Sequence, residues 1–389
     1  MSTDRELFDC IVIGAGVQGS FTAYSLAKRG KRTLLLEQFV LPHSRGSSHG
    51  QTRIIRKAYV QEFYVHMMEE CYKLWAEVER EAGVQLYRQT GLLVMGPENS
   101  ESYTSVKNTL LKCSAPTVSL TRENFSSHIP NMVLSPGNGA IVDLTGGVLF
   151  ADRALKTAQD QFKKYGGVLR DQEKVVDIKP GAVVTVTTLA KTYRARSVVI
   201  TAGPWANKLL APTGLQLPLE VLRINVCYWK EKTPGSYHVN NRFPCFILTE
   251  REQTDQQIYG LPSNEYPGLV KICLHTGSPT DPDHRDRQRD RSDVDILSRY
   301  VSCCVPGLDP EPAIVESCMY TNTPDHHFVL DRHPQHSNIV IGAGFSGHGF
   351  KFGPIIGKLL CELSLGEVPS FDLSPFRIRR FEGLSRSAL

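Results

Sequence analysis

The feature that most constrains this chain is Gly14-Ala15-Gly16-Val17-Gln18-Gly19, set between a short apolar run at 8–13 (FDCIVI) and a helix predicted over 19–29. A buried strand that ends in a glycine turn and opens a helix brings backbone amides up to a pyrophosphate. Gly14 permits the tight turn, Gly16 lets the backbone approach the ligand, and Gly19 lets helix and strand pack closely. The helix N-terminus then stabilises the anionic charge. A second strand predicted at Thr33–Leu36 ends at Glu37, where an acid can bond ribose hydroxyls. Taken alone, the pattern predicts a dinucleotide site and fits FAD or NAD.

The rest of the chain alternates in type. A helix is predicted over 62–82, its charges mostly opposite Met67, Cys71 and Trp75. Strands with glycine turns are expected at 84–96 and 139–150, a helix at 152–165, and β-branched runs fill 167–202. Residues 221–275 predict an antiparallel sheet; a strand at 338–342 leads into a helix from Gly353 to Leu363. For 389 residues, two or three domains are expected. The expected class is α/β with an α+β part: a discontinuous Rossmann-type nucleotide domain over 1–88, 152–217 and 325–389, with a mixed or antiparallel-sheet substrate domain from 89–151 and 218–324.

Charge and composition exclude several classes. A net charge of +4 is too mild for a dedicated nucleic-acid binder. No run approaches the ~18 apolar residues of a membrane span, and the start MSTDRELFD lacks a secretory pattern. The ten cysteines contain no C-x-x-C, so no zinc ribbon or redox pair is expected, no metal is called for, and reduced thiols acting as small buried hydrophobes are the simple reading. Segment 277–295, with six Asp against four Arg, is expected to be a solvated loop.

A second glycine pattern, Gly342-Ala343-Gly344-Phe345-Ser346-Gly347, also follows a strand, but no acid-terminated strand follows it. It reads as a backbone N–H turn aimed at an electron-rich ring edge. Lys271 and His275 sit four apart in a β-rich stretch, a spacing that puts both on one face of a strand.

The ordered set VIGAGVQG, SRGSSHGQTRIIRKAY (44–59), VVITAGPWANKLL (198–210), SCMYTNTPDHHFVLDRHP (317–334) and IGAGFSGHGFKFGP (341–354) resembles the monomeric sarcosine oxidase family, within the D-amino-acid-oxidase-like flavoenzymes. The resemblance spans essentially the whole chain and is nearest to the family's animal peroxisomal members, which include L-pipecolate oxidases. It implies FAD attached through a cysteine thioether, at Cys318. It implies that Arg56 and Lys351 hold a substrate carboxylate, that Arg53 lies beside the flavin, and that Lys271 faces flavin N5 and O2. His275 would lie beside the bound amine, and Tyr259 and Tyr320 would be active-site tyrosines. Gly14, Gly16, Gly19, Glu37, Gly344 and Gly347 would contribute to cofactor binding.

The implied reaction is oxidation of a small secondary amino acid (sarcosine, L-pipecolate or L-proline) by hydride transfer to flavin, with O2 giving hydrogen peroxide and an imine that hydrolyses. The resemblance also implies a monomer. Ser387-Ala388-Leu389 is a near relative of the S-K-L address, so a peroxisomal import receptor and a peroxisomal location are expected. Three other readings stay open on sequence: an FAD dehydrogenase with a protein electron acceptor, a non-catalytic flavin-binding protein, and an NAD-dependent dehydrogenase.

Overall fold

The computed structural model describes residues 7–241, 243–249, 257–287 and 290–383. The C-terminal Ser387-Ala388-Leu389 lies outside the described residues. Strand Leu7–Ile13 runs parallel to Thr33–Leu36 on one side and to Thr192–Ile200 on the other. Val168–Arg170 extends the parallel run past Thr33–Leu36, and Ile339–Ala343 extends it past Thr192–Ile200. Antiparallel strands Val175–Lys179, Val184–Thr188 and Val329–Arg332 complete an eight-stranded sheet. Its central strands are buried on both faces, which is why they read as unbroken apolar runs. Helix Val17–Lys28 packs on this sheet, beside helices Ala151–Lys164 and Gly353–Ser364, which also contact the sheet.

The second sheet has nine strands. Its order runs Thr117–Leu120, Asn138–Asp143, Leu92–Pro97, Cys245–Leu248, Ile258–Leu261, Leu269–Leu274, Glu220–Glu231, Ser278–Pro279, with Leu308–Asn322 laid along Glu220–Glu231. Every pairing is antiparallel except Cys245–Leu248 beside Leu92–Pro97, which is parallel and splices two distant stretches of sequence. A small third sheet, Thr52–Ile55, Gly147–Phe150 and Tyr87–Gln89, lies apart from both. The stretches predicted at 84–96 and 139–150 therefore each divide between two sheets. They bend at Gly91 and Gly146, which share a backbone hydrogen bond of 2.9 Å.

Two expectations are corrected. Segment 277–295 is not simply a solvated loop. Arg285 is 4% exposed and its guanidinium donates to the Arg45 carbonyl at 3.0 Å. Asp283 accepts from the Trp205 indole at 2.7 Å and from Lys208 at 2.6 Å, and from Ser292 the chain is helical to Cys304. The charges are neutralised by partners far along the chain, which a local count misses. The cysteines are all free, but Cys303 is exposed and Cys113 half-buried, so the buried-hydrophobe reading fails for these two. Among the described residues, no helix is long and apolar enough to cross a membrane.

Candidate active site

Strands Leu7–Ile13, Thr33–Leu36 and Thr192–Ile200 end together on a cleft of about 1250 Å³. This is where ligands bind in open parallel sheets. The volume exceeds the roughly 300–1,000 Å³ of a single small-molecule pocket, leaving room for a dinucleotide and a substrate. At one end Gly14 takes φ +100°, and a Cβ there would lie 2.5 Å from the Thr201 carbonyl oxygen. Gly14, Gly16 and Glu37 line the cleft; Gly19 and Gly344 stand behind its wall and serve close packing. Glu37 accepts from the Ala15 N–H at 2.9 Å and the Phe39 N–H at 3.1 Å, tying the second strand to the glycine turn. Ser48 accepts from the Val17 N–H at 3.0 Å.

At the far end the cleft is cationic. Lys351 is 6% exposed, and its ammonium donates to the Tyr59 hydroxyl at 3.0 Å and the His348 carbonyl at 2.8 Å. Burial first, then the Arg56 charge, hold its pKa well below the ordinary lysine value. The Arg56 guanidinium lies 4.0 Å over the Tyr59 ring and has no hydrogen bond or ion pair among the described residues. Two buried or half-buried cations without a carboxylate form an incomplete charge arrangement that an incoming anion completes. Arg53 differs: carbonyls of Ser47, His49 and Thr52 accept from it at 2.6–2.9 Å, which fixes it to the loop at the cleft wall.

Close to the two cations stand His275, Tyr320 and Tyr259. His275 Nδ1 shares a 3.1 Å hydrogen bond with the Tyr320 hydroxyl, and Tyr259 meets the imidazole edge-on. Burial, then the charges of Arg56 and Lys351, push the His275 pKa down to about 3. It is therefore a neutral imidazole. Strand Leu269–Leu274 ends one residue before His275, yet Lys271 and His275 both face the cleft as expected. Gly347, at φ +73°, touches the pair: a Cβ there would lie 2.6 Å from Tyr320 and 2.7 Å from His275.

Lys271 is not a free cation. Its ammonium lies 2.9 Å from Glu265, both side chains being almost wholly buried. Glu265 also accepts from the Thr52 hydroxyl and, at 2.6 Å, from the Tyr228 hydroxyl. Burial alone would raise the Glu265 pKa; Lys271, Thr52 and Tyr228 outweigh it and bring it to about 2. Cys318, on strand Leu308–Asn322, is the one cysteine of the ten that lines the cleft.

The family model described as FAD dependent oxidoreductase matches residues 9–363. A human protein named peroxisomal sarcosine oxidase is 54% identical over the whole of both chains. The monomeric sarcosine oxidase of Bacillus sp. (strain B-0618) is 35% identical, with 96% of each chain covered. The chain belongs to the sarcosine oxidase family of FAD-dependent oxidoreductases. Among solved structures, NikD, an amino acid oxidase of nikkomycin biosynthesis, superposes with a TM-score of 0.84 at 26% identity, covering 96% of this chain and 98% of that one.

For this flavoenzyme family member, sequence reasoning missed Tyr59, His348, Glu265, Tyr228, Thr52 and Ser48. Tyr59 and His348 lie inside the quoted segments RKAY and SGHGFKF, so the signal was present there. Glu265 and Tyr228 carried no local signal. The family assignment also removes the choice between FAD and NAD left open by the glycine turn.

Proposed function

We propose that this oxidoreductase oxidises small secondary amino acids, with sarcosine, L-pipecolate and L-proline as the candidate substrates. The observation that carries the reading is the Arg56–Lys351 pair, two cations without a carboxylate partner among the described residues, at the far end of a cleft whose near end is a glycine cradle. The fit to FAD rests on that cradle, on Glu37 and on the cleft volume. Segments 1–88, 152–217 and 325–389 form the FAD-binding domain and also supply Arg56 and Lys351; 89–151 and 218–324 form the substrate domain and supply Tyr259, Lys271, His275 and Tyr320.

Arg56 and Lys351 bind the carboxylate, the guanidinium as a fork and the ammonium as a point charge. Tyr59 orients both. His275, neutral and hydrogen-bonded to Tyr320, accepts from or donates to the substrate amine without adding charge. The amine reacts as the free base, since its lone pair must assist C–H cleavage. FAD, when bound, would supply the redox chemistry, a two-electron oxidation of the substrate with O2 as the final acceptor and hydrogen peroxide as its product. The imine product adds water; sarcosine yields glycine and formaldehyde, and L-pipecolate leaves a cyclic imine. Cys318 is the attachment point for the flavin through a thioether, supported by its being the one cleft-lining cysteine. Lys271 provides positive charge where O2 is reduced.

The protein works as a monomer. It is peroxisomal, as the name of the human relative supports; Ser387-Ala388-Leu389, a near relative of the S-K-L address, is the segment an import receptor would read. The deciding experiment is anaerobic titration with each of the three amines while following flavin absorbance, then readmission of air with peroxide measured. No bleaching by any of them overturns the substrate class; bleaching without peroxide overturns O2 as acceptor.

A further inference from the structure

We propose that Glu265 is a positioning residue for Lys271, holding the ammonium at the cleft wall as half of a neutral ion pair and so setting the charge that the cleft presents. The inference rests on the reading of Lys271 as the cation at the site of O2 reduction. Three separate parts of the chain build the pair. Lys271 comes from strand Leu269–Leu274 and Tyr228 from Glu220–Glu231, its direct partner in the sheet register. Thr52 comes from the small sheet that also carries Arg53. All three converge on the Glu265 carboxylate, which lies in the turn before Lys271's strand.

The arrangement is more than packing. Lys271, Tyr228 and Thr52 all line the same cleft, and Lys271 stands 5.6 Å over the Tyr228 ring. A second carboxylate, Glu316, lies 3.5 Å from the Tyr228 hydroxyl and accepts from Tyr266, so the acid side of the pair continues outward through hydrogen bonds. Among the described residues the cationic end of the cleft has no such counter-ion: Arg56 and Lys351 stay open for a carboxylate, while Lys271 is closed to one. The molecule thereby separates two basic functions. A substrate carboxylate is directed to Arg56 and Lys351 because the third buried cation already has its anion.

The test uses the purified holoprotein and sulfite, an inorganic anion whose affinity for bound flavin rises with local positive charge and is read by loss of flavin absorbance without turnover. Glu265→Gln removes the anion and leaves the cation. It should tighten sulfite binding about tenfold, the size expected of one unit charge acting over about 12 Å at an effective dielectric near 20. Lys271→Met should weaken it by a similar factor, the double variant should return near the parent, and Glu265→Asp should stay close to it. A purely structural role predicts weaker binding in both single variants. If Glu265→Gln does not fold, the comparison is Lys271→Met against the double variant, where removal of the stranded carboxylate should restore affinity about tenfold. Unchanged or weaker sulfite binding on removal of Glu265 overturns the proposal while Lys271 still responds. No response to either residue overturns the reading of Lys271 as well.

Discussion

The Lys351 ammonium sits 3.0 Å from the Tyr59 hydroxyl, and the ring of that same tyrosine lies 4.0 Å beneath the Arg56 guanidinium. One aromatic side chain thus braces both cations without neutralising either. Lys351→Met should therefore raise the Kd for a simple carboxylate such as acetate by roughly 30-fold or more, as expected for losing one member of a buried charge pair worth about 2–5 kcal/mol. Tyr59→Phe keeps the ring and should cost less, about threefold to tenfold, the range for one hydrogen bond. Equilibrium titration of the oxidised holoprotein measures both.

The same lysine gives carboxylate binding a pH dependence of defined sign. Burial lowers the Lys351 pKa in the empty site, and a bound anion raises it again. Below the empty-site pKa the ammonium is already charged and affinity is flat. Above it, binding must take up a proton, and affinity falls as pH rises until the ligand-bound pKa is passed. Acetate titrations in buffers of different ionisation enthalpy should show proton uptake on the alkaline side, and Lys351→Met should abolish it.

His275, with a pKa near 3, carries no charge at neutral pH. The rise of substrate affinity with pH should therefore track the substrate's own amine. His275→Asn should lower kcat/KM by about threefold to tenfold through the lost hydrogen bond, and the inflection of the pH profile should stay where it was. A displaced inflection would assign the titration to His275 after all.

Much of the nucleotide end is readable from sequence because its signals are local: Gly14, Gly16 and Glu37 are joined by one strand, one turn and one helix. The helices Glu101–Lys112 and Arg122–His128 were not read from sequence, although Ser100 and Thr121 cap the amides that follow them. The anion end is different. Arg56, His275 and Lys351 come from three distant segments, and only resemblance could gather them. Glu265 is a lone acid in a turn, and its partner Thr52 arrives from the separate three-stranded sheet, far earlier in the chain. No periodicity encodes that meeting.

Cys318→Ser should yield protein whose yellow colour stays in the supernatant after acid precipitation, where the parent's colour should pellet with the polypeptide. The thiol's neighbours are backbone carbonyls of Ser47 and Met319, so the change should scarcely affect stability, within about 1 kcal/mol. A parent that also releases its flavin would remove the covalent link.

Gly347→Ala tests the second glycine turn. The backbone there has φ +73°, and the added methyl would press on Tyr320 and His275. Strain of this kind costs about 1–3 kcal/mol, and the displaced pair should lower kcat/KM about tenfold or more with flavin content retained. Absorbance ratio and steady-state rates report the two separately.

Because Cys245–Leu248 pairs with Leu92–Pro97 and Ile339–Ala343 with Thr192–Ile200, both large sheets need strands from distant parts of the chain. The cradle emerges from the ribosome early, but the opposing wall, from His275 through Cys318 to Lys351, is synthesised last. A chain interrupted before Lys351 therefore lacks one of the two cations that would receive a substrate carboxylate, however completely its glycine cradle has formed.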